Sequence, residues 1–169
     1  MIQFKGHAGK TLPAFSVKVP STMFWTNNGS FFQITSYGGY CDDGSVASQV
    51  HQGTSYIPPG RYDQLRVAAI GSWTIAIRPG VERISNPITF SDSGAKALPP
   101  FRLRTAKTMY WKNAGSVFQI YPADQASAAG TVSTQYTRGK LRLPAGRYRF
   151  FVNATAPDEP DGHWRIAIR

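Results

Sequence analysis

Apolar and polar residues alternate with a period of two along most of this chain. Phe15, Val17 and Val19 alternate with Ser16 and Lys18, and Phe101 and Leu103 alternate with Arg102 and Arg104. Trp73, Ile75 and Ile77 share one face with Thr74, Ala76 and Arg78 opposite, and Trp164, Ile166 and Ile168 repeat the pattern. Leu141 and Leu143 are expected to point inward between Arg138, Lys140 and Arg142. Strict alternation places one face on a core and the other in water, which is how antiparallel sheets are built. No window carries the apolar stripe of an amphipathic helix, so the prediction is strands throughout. Asn27-Asn28-Gly29-Ser30 and Asn113-Ala114-Gly115-Ser116 read as hairpin turns.

The pattern is written twice. At a shift of 86 positions Leu12-Pro13 meets Leu98-Pro99, and Thr22-Met23-Phe24-Trp25 meets Thr108-Met109-Tyr110-Trp111. Gly29-Ser30-Phe31-Phe32-Gln33-Ile34 meets Gly115-Ser116-Val117-Phe118-Gln119-Ile120, and Gly60-Arg61-Tyr62 meets Gly146-Arg147-Tyr148. After an insertion the shift becomes 91, and Trp73 meets Trp164. A unit this long is a small domain rather than a solenoid repeat. The expected fold is all-β: two tandem homologous antiparallel β-sandwich domains, Ig- or jelly-roll-like, over residues 1–80 and 90–169, with 81–89 as linker. The first copy carries one extra residue after Tyr62, read as a β-bulge. The second lengthens its final hairpin, with Thr155-Ala156-Pro157-Asp158-Glu159-Pro160-Asp161-Gly162-His163 in place of Ile70-Gly71-Ser72. Each copy alone would bury little surface, so docking against a partner is expected.

The order Leu-Pro-x-Phe, Met-x-Trp, Gly-Ser-x-Phe-Gln-Ile, Pro-x-Gly-Arg-Tyr and Trp-x-Ile-Ala-Ile resembles a β-sandwich repeat of bacterial, especially actinobacterial, proteins of unassigned role. Those residues keep a fold, so the resemblance implies architecture and no activity. Its members are usually exported, whereas the start Met1-Ile2-Gln3-Phe4-Lys5 lacks the apolar run of a signal peptide. The expectation is therefore a whole chain made in the cytoplasm. A signal-less, cysteine-poor tandem sandwich also resembles phage virion accessory proteins, capsid decoration and minor tail proteins among them. Its location would then be the virion.

Charge adds a candidate surface. The net charge is +10, with six Lys/Arg against three acids in 1–80 and twelve against five in 90–169. Such a field favours acidic partners. Arg102, Arg104, Lys112, Arg138, Lys140, Arg142, Arg147 and Arg149 all fall at outward positions, and most have neutral counterparts in the first copy. This stripe is read as a contact for an acidic protein surface, on other virion proteins or copies of the same chain. Tyr37, Tyr40 and Tyr56 are aromatic only in the first copy, and offer an alternative carbohydrate or cell-wall polymer contact. The repeated tryptophans are expected in the core. Specific nucleic-acid recognition is not expected, because the repeated aromatics belong to the inward pattern.

Catalytic chemistry has no visible footing. His7, His51 and His163 lack metal spacing, Cys41 has no evident imidazole partner, and no nucleophile elbow or phosphate loop is present. Asp42-Asp43-Gly44 and Asp158-Glu159-Pro160-Asp161-Gly162 match no calcium-loop pattern and read as solvated turns. The expectation is a non-enzymatic interaction protein with no cofactor and no metal.

Overall fold

The structure, a computed structural model, describes residues 1–36, 45–47, 51–115, 117–122, 137–155 and 163–169. Tyr37, Tyr40, Cys41 and both acidic loops lie outside the described residues. The fold is all-β, with two similar groups of antiparallel sheets forming tandem β-sandwiches. The chain divides into two compact units, Met1–Glu82 and Arg83–Arg169. Among the described residues no helix is long and apolar enough to cross a membrane.

In the first unit the strands are β1 (Ile2–His7), β2 (Lys10–Thr11), β3 (Phe15–Val17), β4 (Ser21–Asn27), β5 (Phe31–Ser36), β6 (Ser45–Ala47), β7 (Gln52–Ile57), β8 (Gly60–Tyr62), β9 (Leu65–Ile70) and β10 (Ser72–Pro79). One sheet runs β1-β10-β4-β7. Facing it, β5 pairs with β6 and β9, and β9 pairs with β2. A short ladder joins β3 to β8. The second unit repeats this with β11 (Ile88–Ser93), β12 (Lys96–Ala97), β13 (Phe101–Leu103), β14 (Lys107–Asn113), β15 (Val117–Pro122), β16 (Arg138–Leu143), β17 (Gly146–Tyr148), β18 (Phe150–Thr155) and β19 (His163–Ile168). Its sheet runs β11-β19-β14-β16, faced by β18 with β15 and β12 on either side; β13 pairs with β17. Strand β11 starts inside the stretch read as linker.

Each sandwich closes on the residues the copies share. Trp25, Phe32, Ile34, Val67, Trp73 and Ile75 belong to one core, and Trp111, Phe118, Ile120, Val152, Trp164 and Ile166 to the other. The tryptophans are 1–5% exposed, so they are core and not a stacking platform. Each indole that closes a sandwich also finds an acceptor. Trp73 Nε1 donates to the Ala8 carbonyl at 2.8 Å, and Trp164 Nε1 to the equivalent Gly94 carbonyl at 2.9 Å.

Several connections differ from expectation. The turns expected after β4 and β14 do not close hairpins, because both edges of β4 are already taken by β10 and β7, and both edges of β14 by β16 and β19. The chain therefore arches from one sheet to the other. In the first unit this arch locks against the one between β9 and β10: Ser72 N donates to Asn28 Oδ1 at 2.7 Å, and Asn28 N donates to Ser72 O at 3.1 Å. The connection from β18 to β19 likewise joins strands of different sheets rather than closing a hairpin. The extra residue after Tyr62 is no bulge either. It lengthens the corner between β8 and β9, two strands with different partners, to Asp63-Gln64 where the second unit has Arg149 alone.

The Pro-x-Gly-Arg-Tyr motif builds a tyrosine-capped corner in both units. Tyr62 Oη donates to Pro58 O at 2.7 Å and Tyr148 Oη to Pro144 O at 2.6 Å. Each ring stacks on the phenylalanine across its ladder, Phe15 at 5.2 Å and Phe101 at 5.6 Å.

Candidate functional site

Register places the outward residues of β16, β14, β19 and β11 in rows across the second unit's larger sheet. One row reads Arg138, Lys112, Arg165, Ser91; the next reads Lys140, Tyr110, Ala167, Thr89. A third joins Arg142 and Thr108 to Arg169, whose N–H donates to Thr108 O at 3.1 Å. All six cations are exposed. Tyr110 stands among them, and the Arg169 guanidinium lies 4.9 Å from its ring centroid, close enough for cation–π attraction. Among the described residues these rows contain no Asp or Glu. Asp92 instead bonds Lys96 Nζ at 2.8 Å, a largely buried pair.

The same rows in the first unit read Gln52, Thr26, Thr74, Lys5, then Thr54, Phe24, Ala76, Gln3, then Tyr56, Thr22, Arg78. Phe24 and Arg78 repeat the aromatic–cation contact at 5.3 Å, so that pair belongs to the shared fold. The remaining cations do not. Part of this face is also covered. Thr22 Oγ1 donates to Gly80 O at 2.9 Å, and Thr54 Oγ1 donates to the Glu82 carboxylate, so the chain after β10 lies over β4 and β7.

That covering corrects the reading of Tyr56. It does sit on the outward side of β7, opposite Thr22, but it is buried beside the returning chain and offers no carbohydrate contact. Arg149 is corrected as well: it occupies the corner between β17 and β18, half-buried with its Nε shut off from solvent. Arg102 is exposed but lies on β13 opposite Arg147, outside the rows, and Arg104 follows in the next bend. The stripe therefore comes apart. Arg138, Lys140 and Arg142 share a face with Lys112, while Arg102 lies on the smaller ladder and Arg104 in the bend after it. Leu141 faces the buried Met109 yet is 38% exposed, because β16 is the last strand of its sheet.

Tyr110, Arg165 and Arg169 complete the face and had a legible signal: 165, 167 and 169 alternate with the core residues 164, 166 and 168. In the first unit Asp63 bonds Arg61 at 2.7 Å, raising the guanidinium pKa through that hydrogen bond and its charge; Arg149 replaces the acid in the second. Among the described residues no three of His, Cys, Asp and Glu gather as a metal site needs.

No family model matches the chain. No curated protein matches it. A solved structure from Pseudomonas syringae pv. tomato, a protein of unknown function assigned to the DUF861 family, is 11% identical over 99% of this chain and 80% of its own. Its TM-score is 0.27, too low to bear on fold or function.

Proposed function

We propose that this chain is a non-enzymatic interaction protein whose second unit docks on an acidic protein surface through the outer face of β11, β19, β14 and β16. The carrying observation is the six exposed cations around Tyr110, set against a mostly neutral, partly covered counterpart in the first unit. Opposed fields steer association and select partners. An exposed tyrosine supplies contact area that few other side chains match. The partner class is a repeating lattice of virion proteins, with this chain as a capsid decoration or minor tail protein; that setting rests on the sequence resemblance alone.

The test is binding to immobilised poly-glutamate over a salt series, for the native chain and for Lys140→Glu with Arg142→Glu. At low salt the reversal should weaken binding about tenfold or more, and added salt should narrow the difference. Equal binding by both proteins rejects the face. The lattice setting is checked by neighbouring genes: capsid and tail genes support it, whereas export and glycan genes speak for the carbohydrate reading.

A further inference from the structure

One row of this face is unlike its counterpart in kind. Arg138, Lys112 and Arg165 stand directly opposite one another on three adjacent strands. Opposed residues on a sheet have Cβ atoms roughly 4.5–5.5 Å apart, and like charges there repel. Among the described residues no carboxylate on the row offsets that repulsion. The fold does not need the charges, because Gln52, Thr26 and Thr74 fill the same row in the first unit, where the two threonine hydroxyls bond each other at 2.7 Å. The charged row also lines an open depression of about 760 Å³ to which Thr89, Ser91, Thr137 and His163 contribute.

We propose that this depression binds a dianionic oxyanion, a phosphate or sulfate group. A single carboxylate offers one charge and two oxygens, which one arginine can satisfy. Two guanidinium groups, an ammonium and neighbouring hydroxyls supply more charge and more donors than that, and they suit a group with two charges and three or four oxygens. The volume lies within the range of small-ligand pockets and exceeds a bare ion, leaving room for a body that carries the group. The inference goes beyond docking and does not depend on it.

The experiment titrates inorganic phosphate and, separately, a sugar monophosphate into the full chain by calorimetry at fixed ionic strength. The comparison is a variant given the first unit's row, Arg138→Gln, Lys112→Thr and Arg165→Thr; Arg102→Ser on the separate ladder is the control. Saturable binding should appear in the native chain and the control, and weaken at least about tenfold in the triple variant. Saturation by inorganic phosphate alone identifies a free anion, and tighter binding of the ester identifies a ligand that carries it. Absence of saturable binding to either probe, or equal binding by the triple variant, overturns the site. Folding of the variant is checked by its melting in sodium chloride without phosphate, where relief of repulsion should hold its midpoint at or above that of the native chain at low salt.

Discussion

Ala8 and Gly94 occupy one position of the repeat, and both lie in the left-handed region, at φ 59° and 75°. That turn aims the carbonyl which accepts the indole N–H of Trp73 or Trp164. An alanine there bears a steric cost of roughly 1–2 kcal/mol, which glycine avoids, offset partly by glycine's greater freedom in the unfolded chain. Ala8→Gly should therefore stabilise the protein by about 0.5–1 kcal/mol, and Gly94→Ala should destabilise it by a similar amount. Urea unfolding decides this; the reverse pair of signs, Ala8→Gly destabilising and Gly94→Ala stabilising, would mean that the turn is not strained. The tyrosine corner gives a second residue-scale expectation. Tyr148→Phe removes the bond to Pro144 O and should cost about 1 kcal/mol in the same assay. The sequence showed that Pro-x-Gly-Arg-Tyr recurs, and placed Tyr at a strand start. It did not show the cap, because that bond depends on the corner folding its hydroxyl back over Pro144.

At the scale of elements, two arches meet where hairpins were expected. A Cβ at Gly29 would lie 1.6 Å from Ile70 O and 2.4 Å from Ile70 C. Those are backbone atoms, so no side chain can move aside. Gly29→Ala should cost more than about 2 kcal/mol, since the two arches must separate to admit a methyl group. Gly80, with φ 106° and nothing within 4 Å of its Cβ position, gives the comparison: Gly80→Ala carries backbone strain alone, of roughly 1–2 kcal/mol. Thermal unfolding of both variants should rank them in that order, and a neutral Gly29→Ala would show that the arches do not interlock. The strands themselves were legible because alternation is set by burial on one face. Their partners were not, because a turn fixes the local backbone and leaves open which sheet the next strand joins. Tyr56 failed for a related reason: alternation put it outward correctly, but nothing in β7 announces that 80–82 returns to bond its neighbours Thr22 and Thr54, or that Tyr56 is buried.

At the scale of the whole molecule, the duplication separates what the fold requires from what was added to it. Both units close on the same tryptophans, tyrosine corners and aromatic–cation pair, yet one outer face carries Lys5 and Arg78 and the other carries six cations. The sequence announced Lys112, Arg138, Lys140 and Arg142, since period two alone sends them outward; it could not tell that Arg102 lies on another ladder and Arg104 in the bend after it. A face of like charges opposes its own folding, and salt relieves that opposition by screening. Raising sodium chloride from about 10 mM to about 200 mM should therefore raise the melting temperature of the native chain. Lys140→Glu sets an acid between Arg138 and Arg142 along β16 and opposite Tyr110, so at low salt it should stabilise by a few tenths of a kcal/mol, roughly 0.2–1. The same substitution should weaken binding to poly-glutamate. A merely solvated face would leave both measurements nearly unmoved, and a face that only guards a sheet edge would leave the binding unmoved. Stability rising while docking falls is the outcome expected of charges kept for a partner, because such residues are retained against their cost to the fold. Stability and binding both unchanged in Lys140→Glu would return the six cations to the ordinary solvated surface.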